Sequence, residues 1–96
     1  MLPAARIGDL TAHGTPLGPG PGSANVLIGG LPAWRVGADV HVCPLADPKP
    51  HGGGSVVTGS STVLINNMPA ARLGDPIAEA TSANTITMGD STVLIG

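Results

Sequence analysis

The sequence predicts a small all-β domain made of three unequal repeats. Three observations predict it. The 96 residues include 15 Gly and 10 Pro, and no stretch free of both is long enough for a helical bundle. Two phrases recur along the chain in a fixed order. The breaks between them carry residues suited to tight hairpin turns.

The first phrase occurs as Leu2-Pro3-Ala4-Ala5-Arg6-Ile7-Gly8, Leu31-Pro32-Ala33-Trp34-Arg35-Val36-Gly37 and Met68-Pro69-Ala70-Ala71-Arg72-Leu73-Gly74. The second occurs as Val26-Leu27-Ile28, Val63-Leu64-Ile65 and Val93-Leu94-Ile95. Gly29-Gly30 and Asn66-Asn67 join one phrase to the next. Both pairs tolerate positive φ, as a type I′ turn requires, so each junction reads as strand, turn and strand. Val56–Thr62 and Ile86–Thr92 match in pattern, with Gly59-Ser60 and Gly89-Asp90 predicted as turns of two further hairpins. The first repeat has Gly18-Pro19-Gly20-Pro21-Gly22 there and is expected to be loop. Stretches 11–22, 44–54 and 76–83 read as irregular, with one helical turn over Pro76–Thr81. The chain is thus one domain, 1–96, with repeats near 2–30, 31–67 and 68–96, expected to surround a pseudo-threefold axis.

Composition excludes several functions. Lys and Arg number four and net charge is −2, too little positive charge to grip a phosphate backbone. Apolar runs are too short to span a membrane, and the N-terminus lacks the pattern of a secretory signal. Aromatics are 1% of the chain, Trp34 alone, so the core is small. Domains of this size usually need a disulfide, a metal or a partner. Cys43 is the single cysteine, which excludes an internal disulfide.

His13, His41, Cys43 and His51 supply the donors of a tetrahedral zinc site. His41 and Cys43 are two apart, which places both on one face of a strand and turns Val40 and Val42 toward a core. Spacing alone leaves both a zinc site and ordinary packed side chains open; the need for a staple favours zinc. Four protein ligands leave no position for a reactive water, and Glu79 lies in another repeat, so the ion is expected to be structural. No nucleophile elbow or phosphate loop is present. Arg6, Arg35 and Arg72 are each followed closely by Asp9, Asp39 and Asp75, which predicts a repeated salt bridge rather than an anion clamp.

Pro3-Ala4-Ala5-Arg6 and Pro69-Ala70-Ala71-Arg72 resemble the motif of the PAAR-repeat family, and Pro32-Ala33-Trp34-Arg35 differs by one residue. With the Val-Leu-Ile phrases and the three-His-one-Cys inventory, the resemblance spans the chain. It implies a β-rich cone with one zinc near its point, held by His13, His41, Cys43 and His51. It also implies a tip on the trimeric VgrG spike of type VI secretion, or on a phage or extracellular injection particle, that sharpens the spike, helps it pierce a target envelope in transient contact with the membrane, and can carry effectors. A pseudo-threefold monomer suits a true threefold partner, with Val93-Leu94-Ile95 a candidate for the base. Such a tip is made in the cytoplasm and exported at the head of the machine; the span from Met1 to Gly96 suggests one without a fused toxin. A small zinc hydrolase and a free metal- or carbohydrate-binding module are the competing readings.

Overall fold

Eleven short strands and no helix form the described residues of the computed structural model, 1–43, 52–79 and 83–96. They are β1 (Leu2–Ala4), β2 (Pro19–Gly20), β3 (Leu27–Ile28), β4 (Leu31–Pro32), β5 (Val40–Cys43), β6 (Gly52–Val56), β7 (Leu64–Ile65), β8 (Met68–Pro69), β9 (Pro76–Glu79), β10 (Ala83–Thr85) and β11 (Asp90–Ile95). The body is elongated, 35 × 23 × 20 Å.

Three two-stranded antiparallel ribbons repeat one register. In β3–β4, Leu27 faces Pro32 and Ile28 faces Leu31. In β7–β8, Leu64 faces Pro69 and Ile65 faces Met68. In β11–β1, Leu94 faces Pro3 and Ile95 faces Leu2. Gly29, Gly30, Asn66 and Asn67 all have positive φ, as a primed turn demands. The third ribbon joins the last strand to the first, so the repeats close into a circle.

The Pro-Ala-x-Arg phrases meet around the centre of that circle. The Ala5 amide donates to the Ala71 carbonyl, Ala71 to Trp34, and Trp34 to Ala5, each at 3.0 Å. Flanking bonds repeat the cycle: Ile7 donates to Pro32, Val36 to Pro69 and Leu73 to Pro3, each at 2.9 Å. Proline suits this arrangement because only its carbonyl is needed.

Apolar layers stack against the ring. Ala4, Ala33 and Ala70 pack with Ile28, Ile65 and Ile95 in one threefold cluster. Ala5, Trp34 and Ala71 lead into a second cluster with Leu17, Val56, Ile77 and Ile86. Trp34 replaces a small residue here and fills the space beneath Gly20, where an added Cβ would lie 3.0 Å from the indole.

The segments after each phrase form a five-stranded antiparallel sheet, ordered β10-β9-β6-β5-β2. Residues 10–18 link its two edges. Ala12 donates to Thr85 at 2.8 Å and Thr87 to Leu10 at 3.0 Å on one side, while Val42 donates to Gly18 at 2.7 Å on the other.

Several expectations need correction. Val56–Thr62 and Ile86–Thr92 are not hairpins: Ser60 donates to the Ala70 carbonyl, Ile86 bridges Thr11, and Asp90–Ile95 pairs with β1. The first repeat does have their counterpart. Ser23 donates to the Ala33 carbonyl as Ser60 does to Ala70, and the Ser23 and Ser60 hydroxyls accept from Val26 and Val63. Residues 76–79 are strand rather than helical turn, because β6 and β10 pair with them on both sides, and residues 19–20 and 52–54, also read as irregular, are strand because both pair with β5. Val40 and Val42 are 47% and 49% exposed, so the strand buries His41 and turns its valines outward.

The three Arg–Asp pairs form as expected. Each Asp accepts from its Arg backbone N–H and, through both oxygens, from the guanidinium at 2.8–3.1 Å. Hydrogen bonding to these carboxylates raises all three Arg pKa values further. Asp39 is fully buried and also accepts from the Gly22 amide at 2.9 Å. Removing it strands four donors, so Asp39→Ala should cost about 3 kcal/mol and exceed the loss from Asp9→Ala or Asp75→Ala. Denaturant midpoints of the three variants check this ranking.

Candidate functional site

Two features of the sheet and the ribbons bear on function. The first is a polar cluster inside the five-stranded sheet. In the sheet register, His41 on β5 faces Gly54 on β6, and Gly54 faces Glu79 on β9. Gly54 therefore separates two long side chains with none of its own. An added Cβ there would run into the Ala78 carbonyl and come 3.0 Å from Glu79 Cγ. Over this gap His41 Nε2 approaches Glu79 Oε2 at 3.6 Å.

His13 enters from the segment linking the sheet edges. Its Nδ1 lies 3.2 Å from Glu79 Oε1. Its backbone N–H donates to Asn84 Oδ1 at 3.2 Å, and Asn84 Nδ2 donates to Glu79 Oε2 at 3.0 Å. Thr15 Oγ1 is 3.3 Å from His41 Nε2 and 2.9 Å from Thr11 Oγ1. The Glu79 side chain is fully enclosed, as is the His41 ring.

The structure thus brings together two members of the expected quartet, His13 and His41. Cys43 lies two residues beyond His41 on β5, with its backbone opposite Gly52. His51 falls outside the described residues. Among the described residues, no group of three or more His, Cys, Asp or Glu side chains is set to hold a metal. His41 nevertheless fits a ligand role. Burial lowers its pKa, against the pull of Glu79, so the ring is neutral, the form that binds metal. Its Nδ1 makes no hydrogen bond among the described residues, and the Pro16 carbonyl favours the charged form only slightly. Sequence reasoning missed Glu79 and Asn84. Glu79 lies in a different repeat from the histidines, and no local pattern marks either residue.

The second feature is a threefold set of exposed apolar side chains. Each ribbon turns the same two positions to solvent: Leu27 with Leu31, Leu64 with Met68, and Leu94 with Leu2. All six are 37–60% exposed, while the Ile beside each pair is buried in the threefold cluster. Isolated exposed leucines are ordinary, but three equivalent pairs around one centre form a symmetric patch.

Residues 45–96 match the PAAR motif family. The chain belongs to that family. No curated protein matches it. The PAAR motif is associated with spike-tip proteins of contractile injection systems, which are structural rather than enzymatic and sit on spike proteins. The match covers the second half of the chain, whereas the hydrogen-bonded ring draws one PAAR phrase from each repeat.

The crossing at Gly54 yields a prediction. Gly54→Ala should destabilise this PAAR protein by about 2 kcal/mol, because backbone carbonyl lies where the methyl must go. Thermal melting beside an exposed Val57→Ala control, expected within about 0.5 kcal/mol of the parent, measures it.

Proposed function

We propose that this PAAR protein caps the trimeric VgrG-type spike of a type VI secretion-like contractile machine, one tip per trimer. The observation that carries the reading is the triplicate Leu/Met pair. A single chain offering one contact three times around an axis is complementary to three identical chains around a threefold axis. Burying six exposed apolar side chains supplies a driving force in water. The ring of backbone bonds holds the three pairs at fixed separation, so little ordering cost accompanies docking. The tip stiffens and sharpens the spike, and carries effectors bound to its outer surface. It is made in the cytoplasm and leaves the cell at the head of the machine.

In this reading His13, His41, Cys43 and His51 hold one structural zinc. A bound zinc supplies a cross-link among loops that share little apolar core. Each ligating residue contributes a neutral imidazole or a thiolate, and the buried, neutral His41 ring suits that task. A hydrolytic role finds no support in Glu79: a general base must reach its water and substrate, and this carboxylate is enclosed.

Two experiments test the proposal. Mixed with a purified spike trimer, the protein should co-elute at one tip per three spike chains. Replacing Leu27, Leu64 and Leu94 together by Asp should abolish the complex while leaving the melting temperature nearly unchanged. A parent that forms no complex contradicts the cap. Separately, elemental analysis should find one zinc per chain, and His41→Ala with Cys43→Ser should lose it. Structural zinc contributes on the order of 10 kcal/mol, so the double variant should melt far below the parent. A parent without zinc contradicts the metal assignment alone.

A further inference from the structure

We propose that Glu79 is the positioning residue of the metal centre: one buried carboxylate that bridges His13 and His41 and fixes which nitrogen each ring offers to the ion. The inference rests on the zinc reading above and extends it to a residue outside the expected ligand set.

The geometry carries it. One Glu79 oxygen faces His13 Nδ1 at 3.2 Å, and the other faces His41 Nε2 at 3.6 Å. Each ring nitrogen turned toward a carboxylate is best occupied by its proton, because an ionised carboxylate accepts and does not donate. The tautomers that turn an N–H toward this carboxylate carry it on Nδ1 of His13 and on Nε2 of His41, the latter a close approach at 3.6 Å rather than a formed hydrogen bond. The opposite nitrogens, His13 Nε2 and His41 Nδ1, are then left with lone pairs. His41 Nδ1 is the buried ring nitrogen that makes no hydrogen bond among the described residues. Thr15 adds a second oxygen beside His41 Nε2, at 3.3 Å.

The carboxylate is itself held. Asn84 Nδ2 donates to Glu79 Oε2 at 3.0 Å, while Asn84 Oδ1 accepts from the His13 backbone at 3.2 Å and from the Thr85 backbone at 2.8 Å. One amide side chain therefore ties the segment bearing His13 to the strand bearing Glu79. Gly54 lets Glu79 and His41 meet across β6. The cluster draws on β5, β9, β10 and the segment linking the sheet edges, brought together where that segment spans from one edge of the sheet to the other. A carboxylate on the far nitrogen of a ligating histidine sets the tautomer and raises the ring's basicity, and its removal typically weakens metal binding about 10- to 100-fold.

Competition of the full chain against a zinc chelator tests this, with Co²⁺ substitution as a second readout. Glu79→Gln keeps the volume and one acceptor oxygen, but its amide cannot accept from both rings. Glu79→Ala removes both acceptors. Both variants should still bind one metal with an unchanged tetrahedral Co²⁺ spectrum, because the ligands remain. Zinc affinity should fall about 10- to 100-fold for Glu79→Ala and less for Glu79→Gln. Asn84→Ala, which leaves the carboxylate in place but loosens it, should fall between the parent and Glu79→Ala, and it serves if Glu79→Ala does not fold. Affinity within twofold of the parent in both Glu79→Gln and Asn84→Ala overturns the proposal. So does loss of the tetrahedral spectrum in Glu79→Gln, which would make Glu79 a ligand. A parent that binds no zinc overturns the metal assignment itself, a result distinct from either.

Discussion

Everything in this fold depends on a triangle of backbone hydrogen bonds. Ala5, Trp34 and Ala71 each donate to the next repeat and accept from the previous one. No repeat could bury its Ala and Ile alone, since each ribbon has only two strands and is marginal by itself. Closing the circle satisfies buried amides and carbonyls that would otherwise be costly, and it places three equivalent apolar pairs around one centre. Fold and threefold apolar face are therefore two consequences of one cyclic constraint.

The molecule manages its two ends differently. Toward the ribbons, symmetry supplies the interior: Ala4, Ala33 and Ala70 with Ile28, Ile65 and Ile95. Toward the sheet, the segments differ in length and sequence, and the symmetry gives way. There the core passes from Leu17, Ile77 and Ile86 to Thr11, Thr15, His41, Glu79 and Asn84, all buried. A buried polar cluster stabilises only when its members satisfy one another. Here hydrogen bonds and close His–carboxylate approaches connect them, and an ion on the two imidazoles would complete the linkage.

Much of the ribbon end was legible in the sequence because its signals are local. Gly29-Gly30 and Asn66-Asn67 declare their turns through φ alone, and the Arg–Asp pairs lie three or four residues apart. What escaped was nonlocal. The strand at 90–95 carries the same phrase as 26–28 and 63–65, yet its partner is the start of the chain. Prolines around Gly22-Ser23 hid its equivalence to Gly59-Ser60, although the hydroxyls play one role. Pro76–Glu79 contains good helix formers, but pairing on both edges overrides propensity. Glu79 and Asn84 could be joined to His13 only by a sheet whose two edges are linked by residues 10–18.

Hydrogen exchange at the amides of Ala5, Trp34 and Ala71 tests the cyclic constraint most directly. The closed ring predicts that all three exchange only through global unfolding and are equally among the slowest in the molecule. Exchange of any one of them as fast as the exposed amides of the connecting segments would mean the circle opens on its own, contradicting the account.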